Sequence, residues 1–334
     1  MTARDLKLNW FHTLASILFI YISVTACESK VSSAKTLGEQ IPTGPTFIES
    51  HATKTPPYLI ESGQGAPSTF SSQGPTPRQI AQPSENGSST PRSCMAAGGR
   101  IETTRLLTPL LTLPMEVRVY LPPCYDEEDE EADVDKPQQS YPVLYLIHGQ
   151  SYTDDQWDRL GADDIASELI ASGEIRSFLI VMPRERIWKD PDENMFGQAV
   201  VEDLIPWVDK TYHTIPDRQH RAIGGLSRGG AWAVHLGFSH WELFGAISGH
   251  SAFYFNSDAP NIRTWLKAIP PESMPRIFLD IGDRDYLDVP NRKLEDLLVE
   301  YSIPHEWYLF PGRHDEVYWE RHVEQYIRWY AANW

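Results

Sequence analysis

Hydrophobic residues beyond about position 94 fall into short runs that alternate with longer amphipathic stretches. Strand-like patterns occur at 100–106, 115–120, 141–147, 178–182, 222–226, 244–248, 276–281 and 306–310. Helical spacing marks 164–172, 198–212, 229–238, 290–301 and 316–332. The first two strand-like segments predict an antiparallel hairpin, and the later ones have the branched, apolar composition of buried parallel strands. We therefore predict an α/β fold with a mostly parallel central sheet and helices on both faces, in one domain covering residues 94–334.

Proline interrupts one of these helical stretches. Pro206 lies inside the segment 198–212, although the apolar residues there keep their helical spacing. Because proline has no backbone N–H and its ring clashes with the preceding turn, a kink or a late helix start is expected at this point.

The first residues have the pattern of an export signal. Arg4 and Lys7 precede an apolar run at 14–24, which is shorter than the roughly 20 residues of a membrane-spanning helix. The run ends in Val-Thr-Ala-Cys at 24–27, which resembles the lipobox of bacterial lipoproteins. We predict a signal peptide at 1–26, lipid attachment at Cys27 and anchoring to the outer face of the cell membrane. The alternative is a plain secretory signal that releases the protein.

Residues 27–93 have the composition of a tether. About half of them are Ser, Thr, Pro or Gly, and the apolar residues are scattered. Such a segment cannot bury enough surface to offset the entropy of ordering it, so a disordered spacer is predicted.

Charge and cysteine content exclude several classes of protein. With 46 acidic and 29 basic residues the net charge is −17, which argues against nucleic acid as a partner. The chain has three cysteines and no C-x-x-C pair, and its acidic run at 126–131 lacks the spaced ligands and the glycine of a calcium loop, so we predict no metal and no cofactor. Cys94 and Cys124 flank the predicted hairpin and could form a disulfide across it, or they could remain two free thiols.

The strongest chemical signal is a G-x-S-x-G pattern at 225–229, which follows a predicted strand and precedes a predicted helix. That context makes a sharp turn that lifts the hydroxyl of Ser227 above the sheet, as required of a nucleophile. The alternative is a glycine-rich turn in which Ser227 only caps the helix.

Nucleophilic serine needs a base and an acid, which follow it in the order acid, then histidine. His314 lies after the last predicted strand and before the final helix, and we predict that it is the base. Asp285 lies in the loop after the strand at 276–281 and is the preferred acid. Asp283 and, more weakly, Asp288 remain alternatives.

Two backbone N–H groups are expected to form an oxyanion hole. One belongs to Arg228, directly after the nucleophile, and the other to Gln150, after the strand at 141–147. His148 beside it is expected to hold this loop by hydrogen bonds. Ligands bind at the carboxyl ends of parallel strands, so Trp157, Trp188, His250 and Phe253 are candidate substrate-binding residues.

Several segments together resemble the esterases of the α/β-hydrolase fold, a group that includes esterase D, enterochelin esterases, feruloyl esterases and mycolyltransferase antigens. The segments are 120–125, 141–149, 202–208, 225–230 and 311–315. The chain departs from the group at Arg228, where many members have Met, and at Gln150 and Ser151, which replace a more glycine-rich run. The resemblance implies a Ser-His-Asp triad at Ser227, His314 and Asp285.

The resulting hypothesis is a serine carboxylic-ester hydrolase that works through an acyl-serine, with a feruloyl, acetyl-sugar or siderophore-type ester as substrate. Two alternatives stay open at this point. One is a surface binding protein that keeps the fold without catalysis, and the other is an acyltransferase that uses a carbohydrate acceptor.

Overall fold

The structure is a computed structural model that describes residues 93–126 and 139–334. A single eight-stranded sheet forms the centre of this part of the chain. The strand order is β1-β2-β4-β3-β5-β6-β7-β8. The strands are β1 Arg100–Leu106, β2 Met115–Leu121, β3 Val143–Ile147, β4 Leu179–Pro183, β5 Arg221–Gly225, β6 Ala246–His250, β7 Arg276–Gly282 and β8 Glu306–Phe310. β2 pairs antiparallel with both β1 and β4, and the pairs from β4 to β8 are parallel. The predicted mostly parallel α/β architecture is confirmed.

Helices cover both faces of the sheet. They are α1 Ser93–Ala97, α2 Gln156–Arg159, α3 Ala162–Ala171, α4 Phe196–Ala199, α5 Ile205–Thr211, α6 Arg228–Ser239, α7 Ile262–Ala268, α8 Asp288–Glu300 and α9 Glu316–Ala331. Successive side chains of a strand point to opposite faces. Accordingly Tyr145 of β3 packs in the core under α5, α6 and α8, while Leu144 and Leu146 pack in the core under α3 and α9. Among the described residues, no helix has the length and apolar character to cross a membrane.

Pro206 changes the helical path as expected. Val200–Leu204 forms a π-helical turn between α4 and α5, and Pro206 lies in the first turn of α5. The first turn of a helix is the place where a missing N–H costs least, because those donors have no intrahelical acceptor. The helix does not start late, however, because residues 196–211 are helical without a break, and the irregularity before Pro206 is the π-helical turn.

A disulfide joins the N-terminal segment to the end of β2. Cys94 in α1 is bonded to Cys124, and their Cα atoms are 5.1 Å apart. The predicted signal peptide, Cys27, the tether up to residue 92 and most of the acidic run lie outside the described residues.

Candidate active site

Ser227 lies at a strained turn between β5 and α6. Its φ of 54° and ψ of −120° are rare for a residue that carries a side chain. The turn is also too tight for larger neighbours, since a Cβ on Gly225 would lie 2.3 Å from the carbonyl carbon of Gly229. The N–H of Ser227 donates to the carbonyl of His250 at 2.8 Å, which ties the turn to the end of β6.

Three residues from three separate loops meet above the sheet. The Nε2 atom of His314 lies 2.8 Å from the Oγ of Ser227, and its Nδ1 lies 2.9 and 3.0 Å from the two carboxylate oxygens of Asp285. Because an ionised carboxylate only accepts hydrogen bonds, Nδ1 carries the proton and Nε2 is free to accept from the serine hydroxyl. The geometry is that of a nucleophile, a base and an orienting acid.

The other two carboxylates that the sequence offered are engaged elsewhere. Asp283 accepts the N–H of Gly312 at 2.9 Å, and this bond holds the pKa of Asp283 below its ordinary value. Asp288 pairs with Arg292 at 2.8 Å along α8. Asp285 therefore stands alone among the three in contact with His314.

A cavity of about 390 Å³ opens beside Ser227. Aromatic side chains form much of its wall, namely Tyr152, Phe253, Tyr286 and Trp319. The rings of Tyr286 and Trp319 lie 4.4 and 4.9 Å from the imidazole of His314, between ring centroids. Aromatic rings therefore flank the nucleophile and its base, and polar residues such as Gln150 and Ser151 complete the wall.

Both residues predicted to form an oxyanion hole, Gln150 and Arg228, line this cavity. The N–H of Arg228 belongs to the first turn of α6, where backbone donors have no intrahelical acceptor. The Gln150 loop is held by Gln156, whose fully buried side chain accepts the N–H of Gly149 at 2.8 Å. Sequence reasoning missed Gln156, because α2 is too short to leave a periodic pattern.

The guanidinium of Arg228 is neutralised inside the protein. Its Nη2 lies 2.6 Å from Oε1 of Glu185 and its Nε lies 2.8 Å from Oε2, with both side chains almost fully buried. A paired and buried guanidinium offers little attraction to a carboxylate on a ligand. Arg228 therefore brings no unpaired positive charge to the wall of the cavity.

Three of the four predicted substrate-binding residues do not lie in this cavity. Trp157 is buried in the core on the side of the sheet covered by α3 and α9, where its indole N–H donates to the carbonyl of Ile147 at 3.0 Å. His250 is fully buried, and Trp188 is half exposed on the loop after β4, between two residues whose carbonyls accept from Arg228. The burial of Trp157 and His250 contradicts their predicted role, because closeness to a strand end does not decide to which face a side chain points. The role of Trp188 stays a prediction. Phe253 does line the cavity.

His250 belongs instead to a polar network in the core. Its Nδ1 lies 2.6 Å from Asp280, and its Nε2 lies 3.0 Å from the hydroxyl of Ser248. Tyr318 and Tyr326 of α9 donate to the second oxygen of Asp280 at 2.5 and 2.8 Å. These hydrogen bonds join β6 and β7 to α9. Because this second Ser-His-Asp group has no solvent access, it cannot meet a substrate.

His148 is predicted to make the stability of the protein sensitive to acid. Its Nδ1 bonds the carbonyl of Gly149 at 2.8 Å, its Nε2 accepts the N–H of Glu185 at 2.9 Å, and burial lowers the pKa of His148 to about 4. The unfolded chain binds this proton near pH 6.5, so stability is lost as the pH falls from about 6.5 towards 4.

Between pH 7 and pH 4.5 the contribution of His148 to the free energy of unfolding is expected to fall by about 2–3 kcal/mol. Urea unfolding of the wild type and of His148→Gln at both pH values measures it. Equal pH dependence in the two proteins would contradict the assignment.

The fold, with a serine at a strand-to-helix turn and a histidine and an aspartate from later strand ends, defines an α/β-hydrolase. Residues 109–330 match the family described as "Putative esterase", and the chain belongs to that family.

Named relatives agree with this class. An endo-1,4-beta-xylanase/feruloyl esterase of Xylanibacter ruminicola is 31% identical over 191 residues, which are 54% of this chain and 24% of the relative. An acetyl esterase of Caldicellulosiruptor saccharolyticus is 24% identical and is matched over 88% of its length by 61% of this chain. A solved ferulic acid esterase is 25% identical with a TM-score of 0.61, and the match covers 71% of this chain and 99% of that one. The chain spans about a quarter of the length of the first curated relatives it matches.

Proposed function

We propose that the protein is a serine carboxylic-ester hydrolase that forms an acyl-enzyme on Ser227. One observation carries the proposal, namely the 2.8 Å contact between Oγ of Ser227 and Nε2 of His314 at a turn whose backbone is strained. Strained residues cluster at functional sites, and here the turn presents the hydroxyl to an open cavity. What sets this group apart from the buried Ser248, His250 and Asp280 is that its serine opens to a cavity, which a binding protein without catalysis would not require.

The geometry supports a two-step reaction. Oγ of Ser227 attacks the ester carbonyl carbon while Nε2 of His314 takes the hydroxyl proton, and the carbonyl oxygen becomes an oxyanion that accepts from the N–H groups of Gln150 and Arg228. The intermediate collapses, the alcohol leaves with the proton from His314, and the acyl group stays on Ser227. Water then repeats the sequence and releases the acid. Asp285 holds the tautomer of His314 and stabilises its cationic form.

For the substrate we propose an ester between an aromatic acid and a carbohydrate. The aromatic wall formed by Tyr152, Phe253, Tyr286 and Trp319 supports a planar acyl group, and the neutralised Arg228 supports an uncharged one. The relatives named for feruloyl and ferulic acid esterase activity support the same choice. The acetyl esterase relative makes acetylated sugars the second candidate.

For the location we propose export, with lipid attachment at Cys27 and a tether up to about residue 93. The Cys94–Cys124 disulfide supports an address outside the cytoplasm, because such bonds persist in oxidising compartments. Metabolic labelling with a fatty acid tests the anchor, with Cys27→Ser as the matched control. Label on both proteins, or on neither, would contradict lipidation at Cys27.

A panel of esters tests the substrate. Methyl ferulate, a feruloylated oligosaccharide, an acetylated xylo-oligosaccharide, a siderophore-type ester and p-nitrophenyl acetate are compared by kcat/KM. The feruloyl esters are expected to exceed the acetylated sugar by about tenfold or more, since burying an aromatic ring contributes well over 1.4 kcal/mol. A preference for the acetylated sugar would overturn the acyl assignment, and products with the acyl group moved to an added sugar would indicate acyl transfer. Activity on no ester would contradict the hydrolase itself.

A further inference from the structure

Glu185 is a buried carboxylate at a junction of three loops near the cavity. It follows β4 by two residues, and its side chain is 1% exposed. Besides its three contacts with Arg228, its Oε1 accepts the amide of Asn194 at 2.8 Å, so each carboxylate oxygen has a donor. Burial raises the pKa of Glu185, and the guanidinium of Arg228 opposes that rise.

One arm of this junction reaches the nucleophile turn. The guanidinium of Arg228 binds both oxygens of Glu185 and also donates to the carbonyls of Ile187 and Lys189. A planar guanidinium held by this many acceptors has little rotational freedom. The backbone of Arg228, and with it the N–H proposed to bind the oxyanion, is therefore held relative to the loop after β4.

The other arm reaches the loop that carries the second donor. The backbone N–H of Glu185 donates to Nε2 of His148 at 2.9 Å, and Nδ1 of the same ring bonds the carbonyl of Gly149 at 2.8 Å. Gly149 directly precedes Gln150. A single residue thus connects both sides of the proposed oxyanion hole, through its carboxylate on one side and its backbone on the other.

We propose that Glu185 is a positioning residue that sets the separation of the two oxyanion-hole donors, the N–H groups of Gln150 and Arg228. The proposal rests on the proposed serine-hydrolase function and assigns Glu185 no contact with substrate. Loss of the charge pair would free the side chain of Arg228, whereas the Gln150 loop would keep its own hydrogen bond to Gln156. The N–H of Arg228 could then move relative to that of Gln150. Removing one oxyanion donor outright typically lowers kcat by about 10²–10³-fold, so a displaced donor should cost somewhat less.

A competing explanation is that the pair serves stability alone. Breaking a buried pair by removing one charge destabilises a protein, whereas replacing both partners by neutral groups is often harmless. Glu185→Gln and Arg228→Met each leave one partner unmatched, and the double variant Glu185→Gln/Arg228→Met removes both charges. The double variant therefore separates stability from positioning.

We expect Glu185→Gln to lower kcat for p-nitrophenyl acetate by about 10–100-fold with KM changed less than about threefold, because the interaction acts in the transition state. The double variant should recover the thermal midpoint but keep the reduced kcat. An aryl trifluoromethyl ketone, which adds Ser227 to its carbonyl and leaves an oxyanion in the hole, should bind more weakly by the same factor. Its binding thus reports on the oxyanion hole itself.

Asp209→Asn is the matched control. Asp209 pairs with the buried Arg221 at 2.7 Å at the start of β5, the end of the strand opposite Ser227. This variant should lose thermal stability and keep kcat within about twofold, since it lies far from the oxyanion.

Wild-type kcat in the double variant, or unchanged ketone binding in Glu185→Gln, would overturn the role of Glu185 while leaving the hydrolase intact. Failure of the proposed function would look different. The wild type itself would then neither hydrolyse esters nor bind the ketone.

Discussion

Replacing Ser227 with alanine is expected to lower kcat for p-nitrophenyl acetate and methyl ferulate by about 10⁵-fold or more, a loss typical of nucleophile removal in serine hydrolases. The reason is that no acyl-serine can form, and the oxyanion donors alone leave only a small residual rate. Labelling by a fluorophosphonate probe should disappear at the same time. Steady-state kinetics and mass spectrometry of the labelled protein measure the two effects.

Ser302→Ala is the matched control for this change. Ser302 has a φ of 55°, against 54° for Ser227, but it lies in the turn between α8 and β8, outside the cavity. The control should keep both its activity and its label. Wild-type turnover or retained labelling in Ser227→Ala would contradict the nucleophile assignment and with it the acyl-enzyme mechanism.

Asp285→Asn is expected to lower kcat by about 10⁴-fold, with the fold and substrate binding retained. An amide at this position can donate to Nδ1 of His314, which favours the tautomer whose Nε2 carries the proton. That nitrogen then cannot accept the proton of Ser227, although it still lies beside Oγ. kcat and KM measured across the pH range test this prediction.

Asp283→Asn serves as the control, since its carboxylate binds the N–H of Gly312 and does not touch His314. We expect less than a threefold change in kcat, which is roughly the effect of a small local shift. A larger loss of kcat in Asp283→Asn than in Asp285→Asn would show that Asp283, and not Asp285, is the acid.

Much of the fold follows from local patterns along the chain. Segments such as 100–106 and 306–310 coincide with β1 and β8, because branched and aromatic residues leave a clear signature in short strands. The remaining strands were predicted to within about two residues. The short helices α1, α2 and α7 went unpredicted, since one or two turns are too few to show a period. For the same reason Gln156, which holds the Gln150 loop, gave no signal.

The candidate site, like the fold, could be predicted only in part from local sequence patterns. Motif context and loop position were enough to select Ser227 and His314 and to place the acid in the loop after the strand at 276–281, because chain order and strand ends restrict where such residues can meet. The direction of a single side chain is not a property of its position along the chain. His250 was therefore predicted to line the pocket, whereas its side chain is fully buried in the core and hydrogen-bonded to Asp280 of the neighbouring strand.

The amino-acid order alone thus determines the alternation of elements, the turn at Ser227 and the residue types available for ester chemistry. Those features depend on neighbours within a few positions, where steric and hydrogen-bonding preferences act directly. Tertiary structure decided the rest, namely the choice of Asp285 over Asp283, the pairing of Arg228 with Glu185 and the aromatic wall of the cavity. These depend on contacts between residues that are 29 or more positions apart, such as Asp285 with His314 and Glu185 with Arg228, and only the packing of the sheet and its loops brings them together.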